Sequence, residues 1–139
     1  MTEPAAPAPQ PQPAAPFSEA EDKQYATLAT FLNIILLIPA LIFYFAFKDR
    51  GPRIGEQSKE NLNWTINITV IVVAAWILDG IFTAALWWTG VGFVLGLLFG
   101  LIAWAGLIVN LIFSIIGGVQ LSGDQKATYR YPFAIRVIK

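Results

Sequence analysis

LNWTINITVIVVAAWILDGIFTAALWWTGVGFVLGLLFGLIAWAGLIVNLIFSIIGGVQL, residues 62–121, is the stretch whose reading decides the fold. It runs about 60 residues and holds one ionisable side chain, Asp79. A soluble core of this size could not bury so much apolar chain, whereas a bilayer can: one span needs about 20 apolar residues to cross roughly 30 Å of hydrocarbon. The stretch therefore reads as two spans, 62–88 and 91–121, joined at Trp87-Trp88-Thr89-Gly90, where interface-seeking indoles precede a helix breaker.

Upstream, residues 25–47 form a third apolar run, interrupted by Thr27, Thr30 and Asn33, and long enough for a span with some tilt. Pro39 lies within it and predicts a kink, because its ring clashes with the carbonyl of Ile35. Lys48-Asp49-Arg50-Gly51-Pro52 ends this helix, and the next begins between Gly55 and Ser58. Ser18-x-x-Glu21 fits a capping box, with Glu19, Glu21 and Asp22 in the first turn. Residues 1–17 are Pro/Ala-rich and read as a disordered tail; residues 18–139 read as one transmembrane domain. The fold class expected is thus an all-α membrane protein with three transmembrane helices, at about 25–47, 62–88 and 91–121.

The bulk numbers agree. Of 139 residues, 56% are hydrophobic and 13% charged, and mean hydropathy is +0.61; globular domains carry about 25% charged residues. Net charge is zero, which gives no field for nucleic acid. There is no Cys and no His, so disulfides, thiolate metal sites and a Ser-His-Asp triad are excluded. No catalytic, cofactor or metal residue stands out, and the reading is of a non-enzyme without a cofactor.

Three features could carry function. Asp79 lies about 24 Å along its helix from Asn63, near the far interface. An intramembrane carboxylate is a functional candidate; at this depth it is better explained by reaching water, or by Asp79-Gly80 ending the span. Asn63 and Asn67 share a face and could bond headgroups or a neighbouring helix. On the last helix, Gly92, Gly96, Ala103, Gly106, Asn110, Ser114 and Gly117 make one small, weakly polar stripe, a packing face for another helix. The tail, 122–139, carries Lys126, Arg130, Arg136 and Lys139; Tyr129 and Tyr131 read as interface anchors.

Basic residues in short flanks set orientation. The 48–59 loop and the C-terminal tail carry four each. With three spans, both lie in the cytoplasm and the N-terminus lies outside, in a multi-pass protein of the inner membrane.

Two segments, Glu56-Gln57-Ser58-Lys59-Glu60-Asn61-Leu62-Asn63-Trp64 and Tyr129-Arg130-Tyr131-Pro132-Phe133-Ala134-Ile135-Arg136, flank a transmembrane hairpin. Together they resemble the small bacterial membrane proteins of domain of unknown function 4870, a family similar to the Tic-type import component of the chloroplast inner envelope. The resemblance covers residues 23–139. Many members carry a His where this chain has Gln57, and its loss argues against proton handling or metal binding there. The resemblance brings no chemistry with it. The expected role is a structural or interaction component in the lipid bilayer, packing with a second copy or a membrane-protein partner through the small-residue face. The competing reading is a channel, transporter or translocon-like component.

Overall fold

The computed structural model describes residues 14–124 and 127–139, with residues 2, 4, 5 and 7. Among these it is all-helical, with four α-helices: α1 Glu19–Leu32, α2 Leu37–Phe47, α3 Pro52–Leu86 and α4 Gly90–Ser122. Most of the Pro/Ala tail expected to be disordered, and Lys126, lie outside the described residues.

The capping box forms as expected. Ser18 Oγ accepts from the Glu21 amide, and the Glu21 carboxylate accepts from the Ser18 amide. These bonds hold the Glu21 carboxyl below its usual range. α3 and α4 are the two helices long and apolar enough to cross a membrane. Their outer faces expose Val70, Trp76, Ile77, Leu97, Leu101 and Trp104, the last at 63%. A continuous apolar surface of this extent belongs in lipid. The turn falls at Trp87–Thr89, as read, with both indoles largely exposed. α3 runs unbroken through Asp79-Gly80, so that pair does not end the span. It also starts earlier than expected, at Pro52, where proline lacks only an N–H that would have no partner anyway.

The third span does not form. Residues 25–47 break at a 3-10 turn, Asn33–Ile35, followed by Leu36 at φ 69° and ψ −136°. A positive φ on a branched side chain costs about 1–3 kcal/mol, offset here because Leu36 packs onto the cluster around Trp64 and Ile68. Pro39 does not kink a continuous helix; it sits in the first turn of a new one, where no ladder bond is lost. α2 then runs back the way α1 came. Phe43 packs on Ala26, Ala29 and Ile54. Phe47 reaches the stacked rings of Phe17 and Tyr25. The Phe17 amide donates to the Arg50 carbonyl at 2.6 Å. α1 and α2 therefore form a helical hairpin that enters and leaves at one end of the molecule. At about 21 Å and 17 Å they reach only part-way along α3. Two long helices and a re-entrant hairpin replace three spans, and the start of α1, the α2–α3 loop and the C-terminal tail meet at one end, here termed the cap; the Trp87–Thr89 end is the tip.

The small-residue stripe of α4 is buried as expected: Gly92, Gly96, Ala103, Asn110, Ser114 and Gly117 all face inward. Its partners are α3 and α1 of the same chain, so it is not a surface for another molecule. Leu97 and Trp104 point outward.

Candidate functional site

The cap is built on the first half of α3, where Gln57, Ser58, Glu60, Asn61, Asn63 and Thr65 are all buried. So many polar groups at such depth need partners. Ser58 and Thr65 bond carbonyls of α3 itself, Asn61 and Glu60 bond side chains, and Gln57 and Asn63, joined by Asn67, bond the backbone of the C-terminal tail. Gln57 accepts from the Tyr129 amide at 2.6 Å and donates to the Tyr129 carbonyl at 3.2 Å. Asn67 does the same for Ile135. Asn63 Oδ1 accepts from the amides of Val137 and Ile138, and its Nδ2 donates to the Ile138 carbonyl at 2.9 Å. A side-chain amide carries one donor face and one acceptor face, so it can serve both groups of a single residue. Three such brackets hold the tail as a strap. It descends α3 from Gln57 toward Asn67, turns at Pro132–Phe133, and climbs back to Asn63, with Arg136 paired to Glu60 at 2.7 Å. Buried backbone without hydrogen bonds of its own must be satisfied by other groups, and the amides do so.

Tyr129 and Tyr131 are therefore core residues, 5% and 2% exposed, and not interface anchors. Tyr131 stacks on Trp64 with ring centroids 4.7 Å apart. Its hydroxyl accepts from Asn33 Nδ2 at 2.9 Å and donates to Asn61 Oδ1. Burial pushes this phenol well above its ordinary range, so it is a neutral hydroxyl at physiological pH. Asn63 and Asn67 bond the strap, not headgroups or a neighbouring helix.

Asn110 closes the lower edge of the cap. Its oxygen accepts from Trp64 Nε1 at 2.9 Å, and its Nδ2 donates to the Asn33 carbonyl at 2.9 Å. That carbonyl also closes the 3-10 turn by accepting from the Leu36 amide, so one α4 side chain adds a second donor at the break between α1 and α2. At the top, the buried Asp22 of α1 caps α3: its two oxygens accept from the amides of Arg53 and Ile54 at 2.9 and 2.7 Å. A side chain at the N-cap, Gly51, would collide with that carboxylate.

Asp79 stands apart at the tip end. It accepts from Thr83 at 3.1 Å and lines an open groove of about 540 Å³ with Gly96, Gly100 and Trp104. Among the described residues no group of His, Cys, Asp or Glu side chains is arranged to hold a metal. The brackets were visible in the sequence only as unexplained amides; their partners lie 68 to 75 residues away.

A two-helix membrane hairpin with a re-entrant helical pair and a bracketed tail is the class of protein these features define. Over residues 21–138 the chain matches the magnetosome magnetite crystal formation protein family, MamF/MmsF, and it belongs to that family. Neither a curated protein nor a solved structure matches it. The match overturns the resemblance to domain of unknown function 4870 and its Tic-type relative. The motifs behind that resemblance meet in the strap: Gln57 and Asn63 of the first bracket it, and Tyr129 and Tyr131 of the second lie within it.

Proposed function

We propose that this chain is a non-enzymatic, structural component of a magnetosome membrane that contributes to magnetite crystal formation, with its cap in the cytoplasm and its Trp87–Thr89 tip on the mineral side. Membership of the crystal-formation family over residues 21–138 is the observation that carries the role. Orientation rests on charge. Every Lys and Arg among the described residues, from Lys23 to Lys139, belongs to a segment gathered at the cap, and the tip turn has none. Such a bias retains the basic end in the cytoplasm. The N-terminus then joins the C-terminus there, because α1 and α2 return to one end.

Deletion in a magnetite-forming cell tests the role: crystal size or number, measured by electron microscopy, changes and is restored by the full chain. Unchanged crystals would refute it. Orientation is tested separately by fusing a reporter active only in the cytoplasm to each terminus. Both fusions are expected to be active, and a silent, fully expressed N-terminal fusion would restore the three-span arrangement.

A further inference from the structure

Between α1 and the C-terminal end of α4 runs an open groove of about 380 Å³, lined by Ala20, Lys23, Thr27, Leu28, Phe31 and Ser122. Its upper end continues into a second hollow walled by Glu19, Lys23, Arg53 and Asp124. Lys23, Thr27 and Phe31 succeed one another at intervals of four residues, so they form a single ridge down α1, about 6 Å per step. The chemistry changes along the ridge. At the top are two cations, Lys23 and Arg53, with the carboxylates of Glu19 and Asp124 beside them. One step down is the Thr27 hydroxyl, buried and without a hydrogen-bond partner among the described residues. Below that the walls are apolar, with the Phe31 ring pressed against Gly118 at a distance where a Cβ would be 2.6 Å away.

We infer that this groove binds an anionic glycerophospholipid from the cap-side leaflet. Its phosphate meets Lys23 and Arg53, an ester carbonyl accepts from Thr27 once that hydroxyl, buried in the free protein, turns into the groove, and an acyl chain lies over Leu28 and Phe31. The order of phosphate, ester and hydrocarbon in such a lipid matches the order of groups down the ridge. In the protein alone, Asp124 takes the place of the phosphate, 2.6 Å from Lys23 and 3.7 Å from Arg53. The bond from Lys23 holds this carboxyl below its usual range, so it is charged at neutral pH. Asp124 is 64% exposed, and an ion pair that open to solvent is weak enough to be displaced. Asp124 thus competes with the lipid, which gives the proposal a prediction of opposite sign.

The test uses the full chain purified in a mild detergent, with native mass spectrometry of bound dioleoyl phosphatidylglycerol against dioleoyl phosphatidylcholine. The wild type is expected to hold phosphatidylglycerol about tenfold more tightly, from an attraction of about fivefold per basic residue less the competition of Asp124. Lys23→Gln with Arg53→Gln abolishes that preference. Thr27→Val weakens both lipids about threefold, through loss of one hydrogen bond. Asp124→Asn tightens phosphatidylglycerol alone, and as a single exposed change it reports even if the double variant fails to fold. Lys59→Gln, whose side chain pairs with Glu56 away from the groove, leaves binding unchanged. Equal retention of the two lipids by the wild type overturns the proposal. So does an Asp124→Asn variant that binds no more tightly, or a Lys59→Gln loss as large as that of the double variant, which would mean diffuse surface charge.

Discussion

At the tip, α3 and α4 face each other alone, while at the cap the same two helices are wrapped by a helical hairpin and a strap. The tip half of α3 exposes Trp76, Ile77 and Ile81 to lipid, whereas the cap half buries nearly every residue from Gln57 to Thr65. The difference lies in what the backbone is doing. Regular helices satisfy their own amides and can be left to lipid. The cap admits a broken helix and a tail with no ladder of its own, and each irregular segment is met by a side-chain amide: Asn110 at the break, Gln57, Asn63 and Asn67 along the strap. Polar residues in this bundle follow irregular backbone, and the tip has little of either.

The sharpest way to break that contrast uses one residue type on one helix. Gly117, in the cap, would place a Cβ 2.9 Å from the Thr30 methyl and against the Tyr129 ring. Gly100, in the tip half, would meet nothing nearer than Asp79 Oδ2 at 3.9 Å. Gly117→Leu is expected to cost about 3 kcal/mol, the upper range for overpacking, and Gly100→Leu no more than about 0.5 kcal/mol. Thermal unfolding in one detergent measures both. Equal losses would mean the tip is as closely packed as the cap.

Asn110→Leu should come next, at about 2 kcal/mol, because it orphans Trp64 Nε1 and leaves the Asn33 carbonyl with the Leu36 amide as its one donor. Membrane hydrogen bonds average only about 0.6 kcal/mol, since the unfolded chain finds other partners. The larger figure rests on the Trp64 indole N–H, buried and with Asn110 as its one acceptor among the described residues. A loss near the average would show that the indole finds another acceptor, or water, without Asn110.

The two long helices could be read from apolar length and the tip turn from its tryptophans, because both are local properties. So were the capping box and the inward face of α4. The break at Leu36 was not legible. Nothing in Asn33-Ile34-Ile35-Leu36 demands a positive φ, and the irregularity is imposed by packing on Trp64 and by Asn110, 77 residues away. Pro39 marked the right neighbourhood and the wrong mechanism, since a proline suits a first turn as well as a kink. In the orientation proposed above, losing the third span moves the N-terminus to the side of the C-terminus. The stripe on α4 was placed on the correct face, but its partner was misassigned: periodicity shows that a face is buried, not by which chain.

Releasing the strap should have a smaller effect on stability than breaking the bundle beneath it. Asn63→Leu with Asn67→Leu removes two of its three brackets and leaves Gln57 and the Glu60–Arg136 pair. A cost of about 1.5 kcal/mol is expected, as opening of the strap and not of the helices. Trypsin cleavage at Arg130 and Arg136 should then quicken about tenfold while the thermal midpoint of α3 and α4 moves little. If unfolding and cleavage shift together, the strap belongs to the cooperative core of the hairpin.

The smallest effect is expected where the sequence drew most attention. Asp79 is the one ionisable residue of the long apolar stretch, yet its hydrogen bond comes from Thr83, one turn along its own helix. That bond exists in an isolated helix as well as in the folded bundle, so it contributes little to folding. Asn keeps an oxygen that can accept from Thr83 in the same geometry. Beside it, Gly96 and Gly100 leave an open groove, so the larger donor face of an amide meets no obstruction. Asp79→Asn should therefore change stability by less than about 0.5 kcal/mol, read as a shift of roughly 2 °C or less in the thermal midpoint. A loss above about 1 kcal/mol would mean that the carboxylate makes a contact that amide chemistry cannot replace. The tip would then hold a polar site of its own, and the rule that polar residues here follow irregular backbone would fail at the position where it is easiest to check.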